Sequence, residues 1–244
     1  ANLMKTFLFI LIVIASGASA GIILGGANLV FVEPSLDQTI RIENQHLFAT
    51  GEEKDTPEFQ IKYEGYRTWQ KSGQVLAGGI LGISIGSLFG IVFALSRNSL
   101  PGKTDIKKSL VLAGIMWLTI YFIPFLKYPA NPPTVGDPET VVLRGIFYLA
   151  FITISGLGAI GFYKLSKKLK TKKFVAAAGY LGFILIVFVA MPENPDPVTT
   201  PMSLVDHFRI MSALTISIYW LSLGLILGFL WNYYKPHQEI TSFS

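Results

Sequence analysis

Six stretches of this chain contain no Asp, Glu, Lys, Arg or His, and few folds accommodate that pattern. They run from Phe7 to Val32, Gly73 to Leu95, Ser109 to Leu126, Gly145 to Tyr163, Phe174 to Met191 and Ile210 to Trp231. A helix of about 20 apolar residues crosses a bilayer, and in lipid each such segment must satisfy its own backbone polar groups. The expected fold is therefore an all-α integral membrane protein with about six transmembrane helices, residues 1–244 forming a single polytopic membrane domain. The third and fifth stretches are at the short end of the range. Only 14% of residues are charged, against about a quarter in soluble domains. Lys5 and Ala18-Ser19-Ala20 resemble a secretory signal with a cleavage site. The apolar run continues through Ile22, Leu29 and Phe31, however, so a retained anchor is expected.

Cations give the orientation. Four lie between Arg97 and Lys108 (Arg97, Lys103, Lys107, Lys108) and six between Lys164 and Lys173, while thirteen of the fifteen acids lie in the other three connectors. Lys and Arg mark the cytoplasmic side. This predicts a multi-pass cell-membrane protein with both termini cytoplasmic and an acidic, proline-rich outer face. The same asymmetry explains the basic balance without a nucleic-acid partner. The Lys cluster reads as a loop that sets topology. The absence of cysteine excludes disulfides and thiolate metal sites.

An internal repeat refines this picture. Pro129 to Arg144, PANPPTVGDPETVVLR, is echoed by Pro192 to Arg209, PENPDPVTTPMSLVDHFR. Both open with P-x-N-P, formed by Pro129, Asn131 and Pro132 and by Pro192, Asn194 and Pro195, and both end on an Arg that opens an apolar run. The spans thus pair into three hairpins with outward-facing proline-rich loops, a kind of repetition common in transporters. Each even span opens just after an Arg, namely Arg67, Arg144 and Arg209. The first hairpin differs by a long outer loop, 33–72, in which Leu36, Ile40 and Leu47 suggest a short surface helix. Phe59, Tyr63, Tyr66 and Trp69 then read as an interfacial aromatic belt.

Glycines predict where helices touch. Span two carries Gly78, Gly82, Gly86 and Gly90 on one face, span one Gly17, Gly21 and Gly25, and span six Gly224 and Gly228. Small residues four apart form a glycine zipper that lets backbones approach closely in lipid. Spans one and two are the expected pair.

The segments AGIILGGANLVFVEPSLDQTIRIENQ, WQKSGQVLAGGILGISIGSLFGIVFAL and above all FIPFLKYPANPPTVGDPETVVLRGIFYL resemble the CbtA family of cobalt transporter components, from about Gly21 to Trp231. The resemblance implies an integral membrane protein that takes part in cobalt transport for cobalamin synthesis, beside a small subunit with a histidine-rich tail. This chain has no such tail, His237 standing alone near the C-terminus.

The residues themselves fit metal transport only in part. Ion pathways usually carry ionisable groups in the membrane, yet the spans offer neutral groups such as Asn28, Thr119, Ser155 and Thr215, with Met116 and Met211 as thioethers. Candidate ligands for a transiently bound divalent cation sit in the outer loops: Asp137 and Glu139 before Arg144, and Asp206 and His207 before Arg209, with Glu193 and Asp196 nearby. The bland alternative is that these acids pair with the arginines and cap the helices that follow. No nucleophile, zinc-protease or phosphate-loop motif is present, so catalysis is not expected. Two functions remain open: a transport component with other membrane subunits, or a non-catalytic scaffold or accessory subunit of a larger membrane complex.

Overall fold

The computed structural model describes residues 2–236 except 171, 197 and 199; His237 and Thr199 thus lie outside the described residues. All regular structure among these residues is helical. Five helical stretches are long and apolar enough to cross a membrane: Lys5–Phe31, Pro57–Ser96, Asp105–Lys127, Pro138–Lys168 and Met202–Tyr234. A sixth apolar helix, Phe174–Ala190, is shorter.

The chain divides into two compact units, residues 1–114 with 210–244, and residues 115–209. In the first unit α1 (Asn2–Phe31) leads almost without interruption into α2 (Glu33–Thr50). Pro34, lacking an N–H, is tolerated where α2 opens, because first-turn donors have no helical partner. Gly51 ends α2 in the left-handed region at φ 77°, which costs glycine little. Thr56 then caps α3 (Pro57–Ser96), its hydroxyl accepting the Phe59 N–H at 3.2 Å, with Pro57 in the first turn.

The connector expected as a long loop over 33–72 is thus helical except at 51–56. With 40 residues, α3 is about 60 Å long, twice what a hydrocarbon core requires. The aromatic residues placed in an interfacial belt divide accordingly. Phe59 packs edge-on to Phe48 of α2 at 5.2 Å and stacks on Tyr63 at 6.3 Å, whereas Tyr66 and Trp69 are exposed.

The apolar part of α3 lies along α1. A Cβ at Gly17 would come within 2.5 Å of the Gly82 carbonyl oxygen, one at Gly78 within 2.5 Å of Gly21 O, and one at Gly86 within 2.6 Å of Gly17 Cα. A Cβ at Gly25 would lie 2.7 Å from Val75 Cα, and Gly90 accommodates the Val13 side chain. At these separations backbone meets backbone, so any side chain would force the helices apart. α8 (Met202–Tyr234) contributes Tyr219, Trp220, Leu223, Leu227 and Trp231 to the same core. Its Gly228 lies against α4 (Asp105–Met116), where a Cβ would stand 2.7 Å from Ile106 Cα. The connector before α4 is closed by Arg97 and Asp105 at 2.5 and 3.1 Å.

The second unit is built on a break. After α4 the helix widens to π geometry over Trp117–Phe122 and resumes as α5 (Ile123–Lys127). Pro124 cannot donate to the carbonyl four residues back. Trp117 and Phe122, five apart, stack at 4.8 Å. The Thr119 carbonyl receives the hydroxyl of Ser155, which lies on α6 (Val141–Lys168). Because that hydroxyl has one hydrogen, the Tyr180 phenol, on α7 (Lys173–Ala190), must donate to Ser155 Oγ at 2.8 Å. Ser155 and Thr119 are buried, and Ile123, Phe151, Tyr180 and Ile184 pack as an apolar cluster beside them. Gly158 faces Phe183, and Gly179 faces Phe162, so α6 and α7 interlock ring into notch.

Candidate functional site

The repeat is most informative at its loops. α5 ends in Lys127, whose side chain is 3% exposed; its ammonium pairs with Glu193 and lies 5.1 Å from the centre of the Phe188 ring. Next to it the Tyr128 phenol donates to Pro192 O at 2.6 Å. Burial, together with the Glu193 charge, raises the pKa of that phenol, so it keeps the proton it donates. Both contacts join the end of α5 to the second P-x-N-P loop.

Asp196 stands at the centre of this loop cluster. Its side chain is 5% exposed and meets Arg144 Nε at 2.9 Å. Asp196 Oδ2 also accepts the Thr140 hydroxyl at 2.6 Å and the Asp137 N–H at 3.1 Å. Gly136, at φ 102°, permits this crowding, since a Cβ there would lie 2.7 Å from Asp196 Oδ2 and 2.8 Å from an Arg144 nitrogen. Arg144 further donates to Asp137 O at 3.2 Å. Two hydrogen-bond donors and the Arg144 charge surround this carboxylate, and Arg144 Nε donates in turn to Thr140 Oγ1 at 3.2 Å, which makes a strong charge-assisted node.

The other arginines occupy matching places. Arg209 donates through Nε and a terminal nitrogen to Asn131 Oδ1 at 3.2 and 2.8 Å, and meets Asp206 at 3.4 Å. In the first unit Arg67 is buried against Glu33 and meets Asp37 at 2.8 Å, with Lys71 on Asp37 at 2.7 Å. Burial opposes the charge on Asp37, but the hydrogen bonds from Lys71 and Arg67 outweigh it, holding that carboxyl below its ordinary range. Each arginine that opens an even apolar stretch therefore grips an acceptor in a connector. Arg144 and Arg209 join the two P-x-N-P loops reciprocally, each reaching from its own loop to the other.

The four residues expected to bind a cation are all exposed. Asp137 caps the 3₁₀ turn Pro138–Thr140, its carboxylate accepting the Glu139 N–H at 2.8 Å. Asp206 faces Arg209 one turn on. Among the described residues no three His, Asp or Glu side chains are grouped so as to hold a metal ion. Of the residues expected to shape the loops, Asn194 accepts the Asp196 N–H at 3.2 Å, and Pro132 is fully buried.

Two members of this cluster leave little trace in the sequence. Gly136 gives itself away only by standing before an Asp in a proline-rich loop. Lys127 reads as an interfacial lysine until Glu193 is placed beside it.

The model of a family described as probable cobalt transporter subunit (CbtA) matches residues 7–232. No curated protein and no solved structure matches the chain.

Proposed function

The chain belongs to the CbtA family, and from that premise we propose that it is the membrane component of a cobalt transport system whose ligand set is completed by a partner subunit. The observation that carries this reading is the contrast between the two kinds of polar residue in the loops. Asp196, Arg144, Arg209 and Asn131 are engaged in holding the loops together. Asp137 and Glu139 are exposed on the first of these loops, and Asp206 and His207 are exposed in the first turns of α8, just after the second. Cobalt(II) favours imidazole and carboxylate donors, and these four offer one imidazole and three carboxylates. A histidine-rich small subunit would supply the nitrogen donors that they lack. In this reading the chain has six spans in three hairpins. The 18 residues of α7 measure about 27 Å, slightly short of a bilayer core, and the flanks or local thinning make up the difference.

The test is cobalt uptake in cells or proteoliposomes carrying the double variant Asp137→Asn, His207→Ala. Uptake is expected to fall at least about tenfold, with unchanged yield and assembly, because neither side chain is buried. A histidine-rich small protein is expected to co-purify under mild detergent. Normal uptake by the double variant would remove these residues from the path. Co-purification of a membrane enzyme instead would favour the scaffold or accessory role.

A further inference from the structure

Between α2 and the first turns of α3 lies a polar groove of about 580 Å³, which the transport reading does not use. Its size suits a small solute, since ligand sites typically enclose several hundred Å³. Arg67, which lines the groove, is buried against Glu33 and also pairs with the half-buried Asp37, which Lys71 meets in turn. The two cations and two acids neutralise each other and join α2 to α3. Three lining charges remain outside these pairs, and one of them, Asp55, accepts a hydrogen bond from Gln60 at 2.7 Å. Arg41 on α2 and Glu64 on α3 both line the groove, and among the described residues neither has a hydrogen-bond or ion-pair partner. Asn44 and Gln45 add amides, which can donate and accept. Arg67 itself lines the groove, is 6% exposed, and has its Nε–H buried without a partner. A buried donor left unsatisfied is costly and points to a missing acceptor.

We propose that this groove is a binding site for a small zwitterion with an amino-acid head group, Arg41 taking its carboxylate and Glu64 its ammonium. A guanidinium binds a carboxylate through two parallel hydrogen bonds, and a carboxylate lining the same groove sets the polarity of the ligand. A simple anion would meet Glu64 and a simple cation Arg41, so each is disfavoured. The same head group could arrive as a free amino acid or on an amino acid that chelates the transported cation. The second source rests on the cobalt reading. It would let the metal arrive with ligands of its own, which suits spans whose side chains are neutral.

The experiment is ligand-dependent thermal unfolding and calorimetric titration of the purified full chain in detergent. The probes are histidine, glycine and glutamate, each alone and mixed with cobalt(II), and cobalt(II) alone. Histidine is expected to bind, and Arg41→Gln and Glu64→Gln should each weaken it at least about tenfold. Lys62→Gln, outside the groove lining, should leave it unchanged. Tighter binding of the histidine–cobalt mixture than of histidine would identify the chelate as the ligand, and equal binding the free amino acid. No binding of any amino acid, with or without cobalt, overturns the assignment, as does binding that survives both substitutions. Cobalt uptake measured separately keeps the two readings apart, because failure of the groove leaves transport by the loops standing.

Discussion

At the scale of single residues, the arginines decide how the connectors are held. Arg144 neutralises a carboxylate that is 5% exposed, so removing it strands a buried charge. Breaking such a pair costs about 3–5 kcal/mol. Arg144→Ala is therefore expected to lower the melting temperature and detergent-stable yield, and Asp196→Asn to do so less, since an amide still accepts from Thr140. Equal stability of Arg144→Ala and the parent would mean that the loops are held by other contacts. Asp37 gives a pH signature. Its folded-state pKa lies below the unfolded value of about 3.9. Its contribution is thus present above that value and is lost as pH falls through the lower folded value. Acidification should loosen α2 from α3 only below about pH 4, visible as faster amide exchange over 33–50, and Asp37→Asn should remove that transition. The loop cluster was partly legible in the sequence. An Arg opening an apolar run invites an acid, and Asp137, Glu139 and Asp206 stood nearest along the chain. The acid that Arg144 engages, Asp196, lies fifty-two positions away by simple subtraction and came within reach only because Gly136 clears the space. Nearness in sequence could not decide that choice.

At the scale of elements, the apolar helices were legible because freedom from charge over some twenty residues has no other economical explanation in a folded chain. The outer part of α3 was not, although Thr56-Pro57 is a sound helix start. Its aromatic residues carry two meanings, interfacial anchor or helix-packing surface, and only the presence of α2 decides for Phe59 and Tyr63. The π segment was hidden for a related reason. Pro124 announces a disturbance, but the extra residue settles at Trp117–Phe122, where Ser155 from another helix takes up the Thr119 carbonyl. Such π bulges often serve function. The glycine face of α3 had the opposite character, its spacing plain in the sequence and its expected partner, the first apolar stretch, the one it meets in the folded chain. Since Gly82 and Gly86 leave no room for even a Cβ against α1, Gly82→Leu with Gly86→Leu should separate α1 from α3. The expected loss is at least the 1–3 kcal/mol typical of overpacking, read as lower stability and yield in detergent. An unaltered melting curve would place this face toward lipid.

For the whole molecule the decisive question is the side on which each loop lies, because the cobalt reading requires the exposed carboxylates and His207 to face the source of metal. The charge distribution gives a definite expectation. From Gly145 to Pro192 the chain has no acid, and six lysines are gathered at the turn between α6 and α7, whereas the two P-x-N-P loops carry the acids. Lysine held on the cytoplasmic side by the membrane potential and insertion machinery sets orientation. The chain contains no cysteine, so single cysteines can report without background. Cysteine at Ser166, on the lysine side, should be shielded from a membrane-impermeant thiol reagent in intact cells and should react once the membrane is opened. Cysteine at Glu139 or Pro195, both exposed, should react at once. Ser166 and Glu139 must sit on opposite faces if α6 crosses the bilayer, so labelling of both in intact cells would contradict a spanning α6. A clean reversal would keep the helices and invert the direction, turning the braced loops toward the cytoplasm. There they could release a cation but not collect one from outside.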